Sequence, residues 1–337
     1  PMPGSMNTVS VVGPTHPFKG GIARHTTDLA LALQASGREV TLQSWNRQYP
    51  KRLYPGEQQV PGEPEGPVFC RVRATMNWFD PISWVTAGRR AADDEFVVLA
   101  LTTPVQIPSY LVLSGAARSA RLVVVCHNVL PHEPGPADRW LVERLLRRAD
   151  QVITHTDAQA ELAQSLGARS VAVVPLPAHL PTSEERRQEG AAVSRRLLFF
   201  GLVRPYKGLS VLLQALAEVD EVSVTVAGEI WQSREELEAE ISALDLASRV
   251  ELTDGYVDAA ELPDLFGRHD ALVLPYLDGT ASQNVLLAHQ LGLPVIASKV
   301  GSFPSQIRDA VDGLLVDTGD VAGLAAAIRS LYDDGRL

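Results

Sequence analysis

The sequence predicts an α/β protein built from two Rossmann-like, doubly wound parallel-sheet domains. Three observations lead there. Short apolar runs recur along the chain, each followed by a glycine-bearing or polar loop and then by residues at helical spacing, the pattern of strand–loop–helix units in a parallel sheet. The alternation breaks once, at residues 181–194, where Pro181, Ser183, Glu184, Glu185, Arg186, Arg187 and Gly190 show no apolar period. The length of 337 residues suits about two domains. The reading is therefore a first domain over residues 6–180, a linker over 181–194 and a second domain over 195–337.

In the first domain, residues 9–12 read as a buried strand. The turn from Gly13 to Gly21 leads into a helix with Ile22, Thr26, Leu29 and Leu33 on one face, which Gly37 ends. Adjacent Gly20 and Gly21 suit either a tight turn or a backbone brought close to a ligand. A strand at 40–43 precedes a Pro-, Gly- and Glu-rich loop at 50–67. Strands at 97–101 and 122–126 follow, the second running into His127, Asn128 and His132. Residues 139–148 form an amphipathic helix with Trp140, Leu141, Leu145 and Leu146 opposed to Arg139, Arg144, Arg147 and Arg148. That arginine face fits solvent or an anionic membrane surface. A strand at 152–154, a helix from Asp157 and a strand at 171–174 complete the domain.

The second domain repeats the alternation. A strand at 197–200 opens into a loop holding Gly201, Arg204, Lys207 and Gly208, then a helix with Leu209, Leu212, Leu213 and Leu216. A strand at 222–226 runs into Gly228 and Glu229, and one at 250–252 into Gly255, Tyr256 and Val257. The stretch at 272–298 reads as strand, polar loop, helix and strand. Asp278 lies in its loop and Ser282, Gln283 and Asn284 at the helix opening, where free backbone N–H groups attract anions. Arg204 and Lys207 lie at a strand's carboxyl end, expected to face that opening, and suit a diphosphate.

Composition narrows the function. Hydrophobic residues make up 45% and charged residues 21%, as in a water-soluble globular protein. A formal net charge of −10 argues against nucleic-acid partners. The two cysteines, Cys70 and Cys126, both read as core-strand residues, which fits a reducing, cytoplasmic setting. No apolar run reaches the roughly 18 residues of a membrane span. Pro1 to Ser5 read as an expression scar. The first strand-to-helix turn lacks Gly-x-Gly-x-x-Gly, which argues against a nicotinamide-dependent dehydrogenase.

With these motifs in order, the chain resembles the retaining GT-B glycosyltransferases of group 1, family 4-like. The resemblance rests on Gly20-Gly21, His127-Asn128, the Phe199-Phe200-Gly201 to Lys207-Gly208 loop, Gly228-Glu229, Gly255-Tyr256-Val257 and Gly292 to Ala297. It implies two domains facing a cleft and transfer of a sugar, a hexose above all, from a UDP- or GDP-sugar. The acceptor would be a saccharide, a lipid-linked molecule or a small molecule. By resemblance, Lys207 holds the donor diphosphate, and Arg204 stands in for an arginine whose place Leu202 occupies. Gly20 and Gly21 form the glycine loop and His127 lies near the transferred sugar. Tyr256 and Val257 pack on the base, with Gly228 and Glu229 also on the donor side. His25, Asn128 and His132 fall on the acceptor or sugar side; the alternative for a strand-end histidine, His127 or His132, is a bond to backbone alone.

One departure stands out. The Glu-x₇-Glu positions, counted back from Gly292, hold Gly279 and Leu287, so sugar contacts would fall to Asp278, Gln283 or Asn284. No Asp-x-Asp occurs, so the expected reaction uses no metal or cofactor, and Arg204 and Lys207 stabilise the leaving diphosphate. A non-catalytic nucleotide-sugar-binding protein of the same fold is the alternative. Relatives of this kind usually continue into a last helix that crosses back to the first domain, so the chain is expected to have been trimmed after Leu337.

Overall fold

The computed structural model describes residues 7–18, 20–50, 59, 68–131, 135–177, 193–279 and 282–333. The chain divides into two compact units, Pro1–Pro177 and Ala178–Leu337. The expected linker lies almost wholly outside the described residues, as does His132.

The first unit runs β1 (Thr8–Val12), α1 (Gly21–Ala35), β2 (Glu39–Arg47), β3 (Val72–Asn77), α2 (Pro81–Arg90), β4 (Phe96–Leu101), α3 (Ile107–Ala116), β5 (Arg121–Cys126), α4 (Asp138–Leu146), β6 (Gln151–Thr154), α5 (Asp157–Ser165) and β7 (Val171–Val173). Its sheet has the order β3-β2-β1-β4-β5-β6-β7, and its pairings are parallel. Alternate strand residues point to opposite faces. Val12, Leu99, Val124 and Cys126 pack with Tyr110, Leu113 and Leu145. Val9, Val11, Val98 and Val125 pack with Ala30. Burial on both faces explains why these strands read as continuous apolar runs.

The second unit runs β8 (Arg196–Phe200), α6 (Leu209–Ala217), β9 (Ser223–Ala227), α7 (Arg234–Ala243), β10 (Val250–Thr253), α8 (Leu262–Gly267), β11 (Ala271–Leu274), α9 (Asn284–Gln290), β12 (Val295–Ser298), α10 (Phe303–Gln306), β13 (Gly313–Val316) and α11 (Val321–Asp333). Its strand order is β10-β9-β8-β11-β12-β13, again paired in parallel. Leu197, Phe199, Val224, Val226 and Ile296 face α6 and α11. Leu198, Leu272, Leu274, Val295 and Ala297 face the Val285, Ala288 and Leu291 side of α9. In both units the strand order reverses beside the first strand, at β1/β4 and at β8/β11. Loops part there and leave a crevice at the carboxyl ends of the strands.

Four expectations need correction. Cys70 is exposed just before β3, whereas Cys126 is buried, and burial pushes the Cys126 thiol up to about 12. Trp140 is 58% exposed and stacks under Arg144, while Val142, Leu145 and Leu146 form the buried side of α4. In α1 the buried positions are Ala23, His25, Thr26, Thr27 and Ala30, with Leu29 and Leu33 only partly covered. Small residues are needed at the start of α1 because it approaches the sheet closely: a Cβ on Gly13 would lie 2.8 Å from Ala100 Cβ and 3.0 Å from Thr26. Finally, β2 extends to Arg47, further than the apolar run at 40–43 suggested.

Gly208 ends the Pro205–Lys207 turn at φ 69°, and a Cβ there would sit 1.9 Å from the Pro275 carbonyl oxygen. Gly208→Ala should lower the unfolding free energy by at least about 2 kcal/mol. Urea denaturation with Gly267→Ala as control checks this, since a Cβ on Gly267 meets nothing within 4 Å. Equal stability of the two variants would contradict the prediction.

Candidate functional site

In the second unit the expected donor residues collect around the β8/β11 switch point. The loop after β8 is held against its neighbours by close backbone contacts. Gly201 N–H donates to Ala227 O at 2.9 Å. A Cβ on Gly228 would lie 2.2 Å from Gly201 O. Leu277 N–H donates to Tyr206 O at 2.7 Å, which ties the turn to the loop after β11.

This packing seats Lys207 in the crevice. The side chain is 9% exposed, and its Nζ lies 5.2 Å from the centre of the Tyr276 ring. Among the described residues its ammonium has no carboxylate or hydrogen-bond partner. Asn284 closes on the same point. A Cβ on Gly201 would lie 3.2 Å from Lys207 Nζ and 3.4 Å from Asn284 Nδ2. That amide donates to Phe200 O at 3.1 Å, which fixes its orientation. The Tyr276 hydroxyl is buried with no hydrogen-bond partner among the described residues. Burial raises the Tyr206 phenol above its ordinary value, with Lys207 pulling it the other way.

Arg204, expected to face the opening of α9, is instead stacked on aromatic rings. Its guanidinium carbon lies 5.1 Å from the centre of Trp231, after β9, and 5.9 Å from that of Tyr206. The expected free N–H at Asn284 is also taken: it donates to Ser282 Oγ at 3.3 Å, a local cap that short hydroxyl side chains favour. Gln283 is already helical at φ −79° and ψ −13°. Asp278 is exposed and accepts the Gly279 N–H at 2.8 Å. Glu229 accepts the Trp231 indole N–H at 3.2 Å. Tyr256 is 43% exposed, after Gly255 at φ 141°, and Val257 packs on the α9-side core. Leu287 lies in that same apolar cluster, and a Cβ on Gly279 would make only an ordinary 3.5 Å contact with Tyr276.

In the first unit, Gly20 stands at φ 98° before α1 with open space where a Cβ would go, and Gly21 begins the helix. His25, on α1, faces inward. Its ring centre lies 4.7 Å from that of His127 and 5.5 Å from that of His155, and the last two are 5.1 Å apart. His127 follows β5 and His155 follows β6, so parallel neighbouring strands deliver two of the three imidazoles. Val129 N–H donates to Gln159 Oε1 at 2.8 Å, which fixes the loop bearing His127 and Asn128. His155 was missed from sequence. Its only signal was a histidine at a strand's carboxyl end, the feature that drew attention to His127. His155 Nδ1 bonds Val174 O at 2.9 Å, so its other nitrogen is an acceptor when the ring is neutral.

Among the described residues no three His, Cys, Asp or Glu side chains are arranged to hold a metal. No helix among them is long and apolar enough to cross a membrane.

Comparison with known proteins places this architecture. Residues 194–334 match the family model described as glycosyl transferases group 1. Residues 20–179 match that of the glycosyl transferase 4-like domain. The fold is that of GT-B proteins. A structure of Anabaena HepE in complex with UDP-glucose aligns at TM-score 0.74 and 19% identity, over 97% of this chain and 90% of that one. Sucrose-phosphate synthase from Thermosynechococcus elongatus aligns at TM-score 0.73 and 17% identity, over 97% and 90%. In sequence, a phosphatidyl-myo-inositol mannosyltransferase of Mycolicibacterium smegmatis is 28% identical over 94% of this chain and 82% of its own length. A D-inositol 3-phosphate glycosyltransferase of Salinispora tropica is 28% identical over 58% of this chain, a match spanning 46% of that protein. The chain is thus a glycosyl transferase 4-like domain followed by a group 1 glycosyl transferase domain.

Burial lowers the pKa of His155 and of His269. His269 is held by Leu265 O at 2.6 Å and Thr225 Oγ1 at 2.9 Å. Both rings are therefore favoured neutral when folded, and the unfolded chain binds their protons first as pH falls. Their contribution is present above the ordinary histidine value of about 6.5 and is lost as pH falls below it. The thermal midpoint should fall between about pH 7.5 and 5.5, and by less in His155→Gln. A flat profile, or one unchanged by the substitution, would contradict this.

Proposed function

We propose that the protein transfers a hexosyl group from a nucleotide-diphosphate sugar to an acceptor hydroxyl, with retention and without a metal ion. The observation that carries this reading is Lys207. A lysine nine-tenths buried, whose ammonium has no anionic partner among the described residues, is costly unless an anion completes it. Asn284 Nδ2 and the stacked Arg204 supply further donors on the same unit. Negative charge grows on the diphosphate as the glycosidic bond breaks, and fixed donors aimed at that charge stabilise the transition state more than the bound donor. Release of a stabilised diphosphate allows one of its oxygens to take the acceptor proton on the same face, which retains configuration.

The first unit supplies the acceptor side. The packed imidazoles of His25, His127 and His155 gather ring nitrogens, groups that can donate to or accept from sugar hydroxyls. Asn128 belongs to the same reading, whereas Gly20 and Gly21 are assigned to donor binding. UDP-glucose, bound by Anabaena HepE, and GDP-mannose are the donors to test first. Inositol-bearing acceptors enter the screen through the names of the mannosyl- and glycosyltransferase relatives. Saccharide, lipid-linked and other small acceptors follow.

The test is Lys207→Met, which keeps the stem and removes the charge. Turnover should fall about 10²- to 10³-fold, with a smaller loss in nucleotide affinity. The ligand-free variant should gain about 1 kcal/mol in stability, because an unpaired buried cation is gone. A variant that keeps its transfer rate, or that is destabilised without ligand, would make Lys207 structural. In the wild type, UDP or GDP should raise the thermal midpoint equally with and without EDTA. Abolition by EDTA would contradict the metal-free reading.

A further inference from the structure

We propose that Trp231 is a positioning residue for Arg204, holding the guanidinium where it meets the donor diphosphate. This rests on the reading of the β8/β11 crevice as a diphosphate site.

Three observations carry the proposal. First, the Arg204 side chain makes no hydrogen bond or ion pair among the described residues. Its recorded partners are the rings of Trp231 and Tyr206. Stacking engages the face of a guanidinium and leaves its in-plane N–H fork open for a phosphate. Second, backbone pairing fixes the seat of the indole. Val203 N–H donates to Glu229 O and Trp231 N–H donates to Val203 O, each at 2.9 Å. These bonds carry the parallel pairing of β8 and β9 past the Gly201–Gly228 contact, through the Val203–Ile230 bridge. Arg204 follows Val203 directly, so its Cα and that of Trp231 are set by one short ladder. Third, the nearby acid is engaged elsewhere. Glu229 accepts the indole N–H at 3.2 Å. An arginine neutralised by its own carboxylate would bind phosphate poorly. Here the bond to the indole orients the ring while the guanidinium keeps its charge for a ligand.

Without the ring, a long side chain that is only partly covered samples many rotamers and loses its preorganised position. Trp231→Leu should weaken UDP and GDP binding about 10-fold, close to the effect of Arg204→Ala, since a desolvated cation–π contact is worth roughly that factor. The double variant should be no weaker than Arg204→Ala alone, because one residue acts through the other. Trp231→Phe should restore most of the affinity.

The experiment titrates UDP, GDP and uridine by calorimetry into the wild type, Trp231→Leu, Trp231→Phe, Arg204→Ala, the double variant and Lys207→Met. Uridine affinity should be unchanged throughout, which separates loss of a phosphate contact from loss of a base contact. Additive effects in the double variant, or equal losses for uridine and UDP, would overturn the proposal. Should Trp231→Leu fail to fold, Trp231→Phe in Arg204→Ala and in wild type gives the same comparison: an effect in both backgrounds would overturn it. If Lys207→Met weakens UDP and GDP while Trp231→Leu does not, the positioning role alone fails. If neither variant weakens them, or neither nucleotide binds the wild type, the diphosphate reading fails with it.

Discussion

The second unit is built around an ammonium group that no carboxylate among the described residues neutralises. Lys207 is buried against the face of Tyr276, whose hydroxyl has no hydrogen-bond partner among the described residues. In a chain of net charge −10, carboxylates are plentiful, yet among the described residues none pairs with this cation. The ring face offsets part of the desolvation, about 1 kcal/mol. The rest is a standing cost, the kind of local destabilisation that folds retain at sites where a ligand completes the charge balance.

Much of the local backbone follows from that constraint. To bring a lysine at a strand end into a crevice, three loops must approach more closely than side chains allow. Gly201, Gly208 and Gly228 all take positive φ, and a Cβ at Gly208 or Gly228 would strike backbone of the adjoining loop. The parallel order of the sheet supplies the opening, since neighbouring crossovers diverge at β8/β11. The first unit uses its sheet in the same way. Neighbouring strands β5 and β6 each end on a histidine, and α1 presents a third to them.

The strands were the most legible part of the sequence, because burial on both faces writes them as apolar runs. The glycine-rich strand ends were legible too, since backbone close approach leaves only glycine as a choice. Residues whose roles depend on the neighbour across the sheet were not. Trp231 lies two residues beyond Glu229 in a loop, and only the Val203–Ile230 bridge brings it to Arg204. His155 reads as an ordinary strand end until β5 and β6 are placed side by side. An apolar run at Cys70 and an amphipathic pattern at Trp140 do not say which face a short element turns to the core; Cys70 precedes its strand, and α4 already has Val142, Leu145 and Leu146 inside. At Asn284 the expected anion-binding N–H was lost to a local Ser282 cap, which competes with any ligand for the same donor.

The central claim is that Lys207 in the β8/β11 crevice, with Arg204 stacked on Trp231 after β9, holds the donor diphosphate. A crystal structure with bound UDP tests it most directly. The account predicts a phosphate oxygen within hydrogen-bond distance of Lys207 Nζ, with the Arg204 guanidinium still stacked on Trp231 and its fork turned to the diphosphate. Phosphates bound away from Lys207, with its ammonium still unpaired, would contradict it.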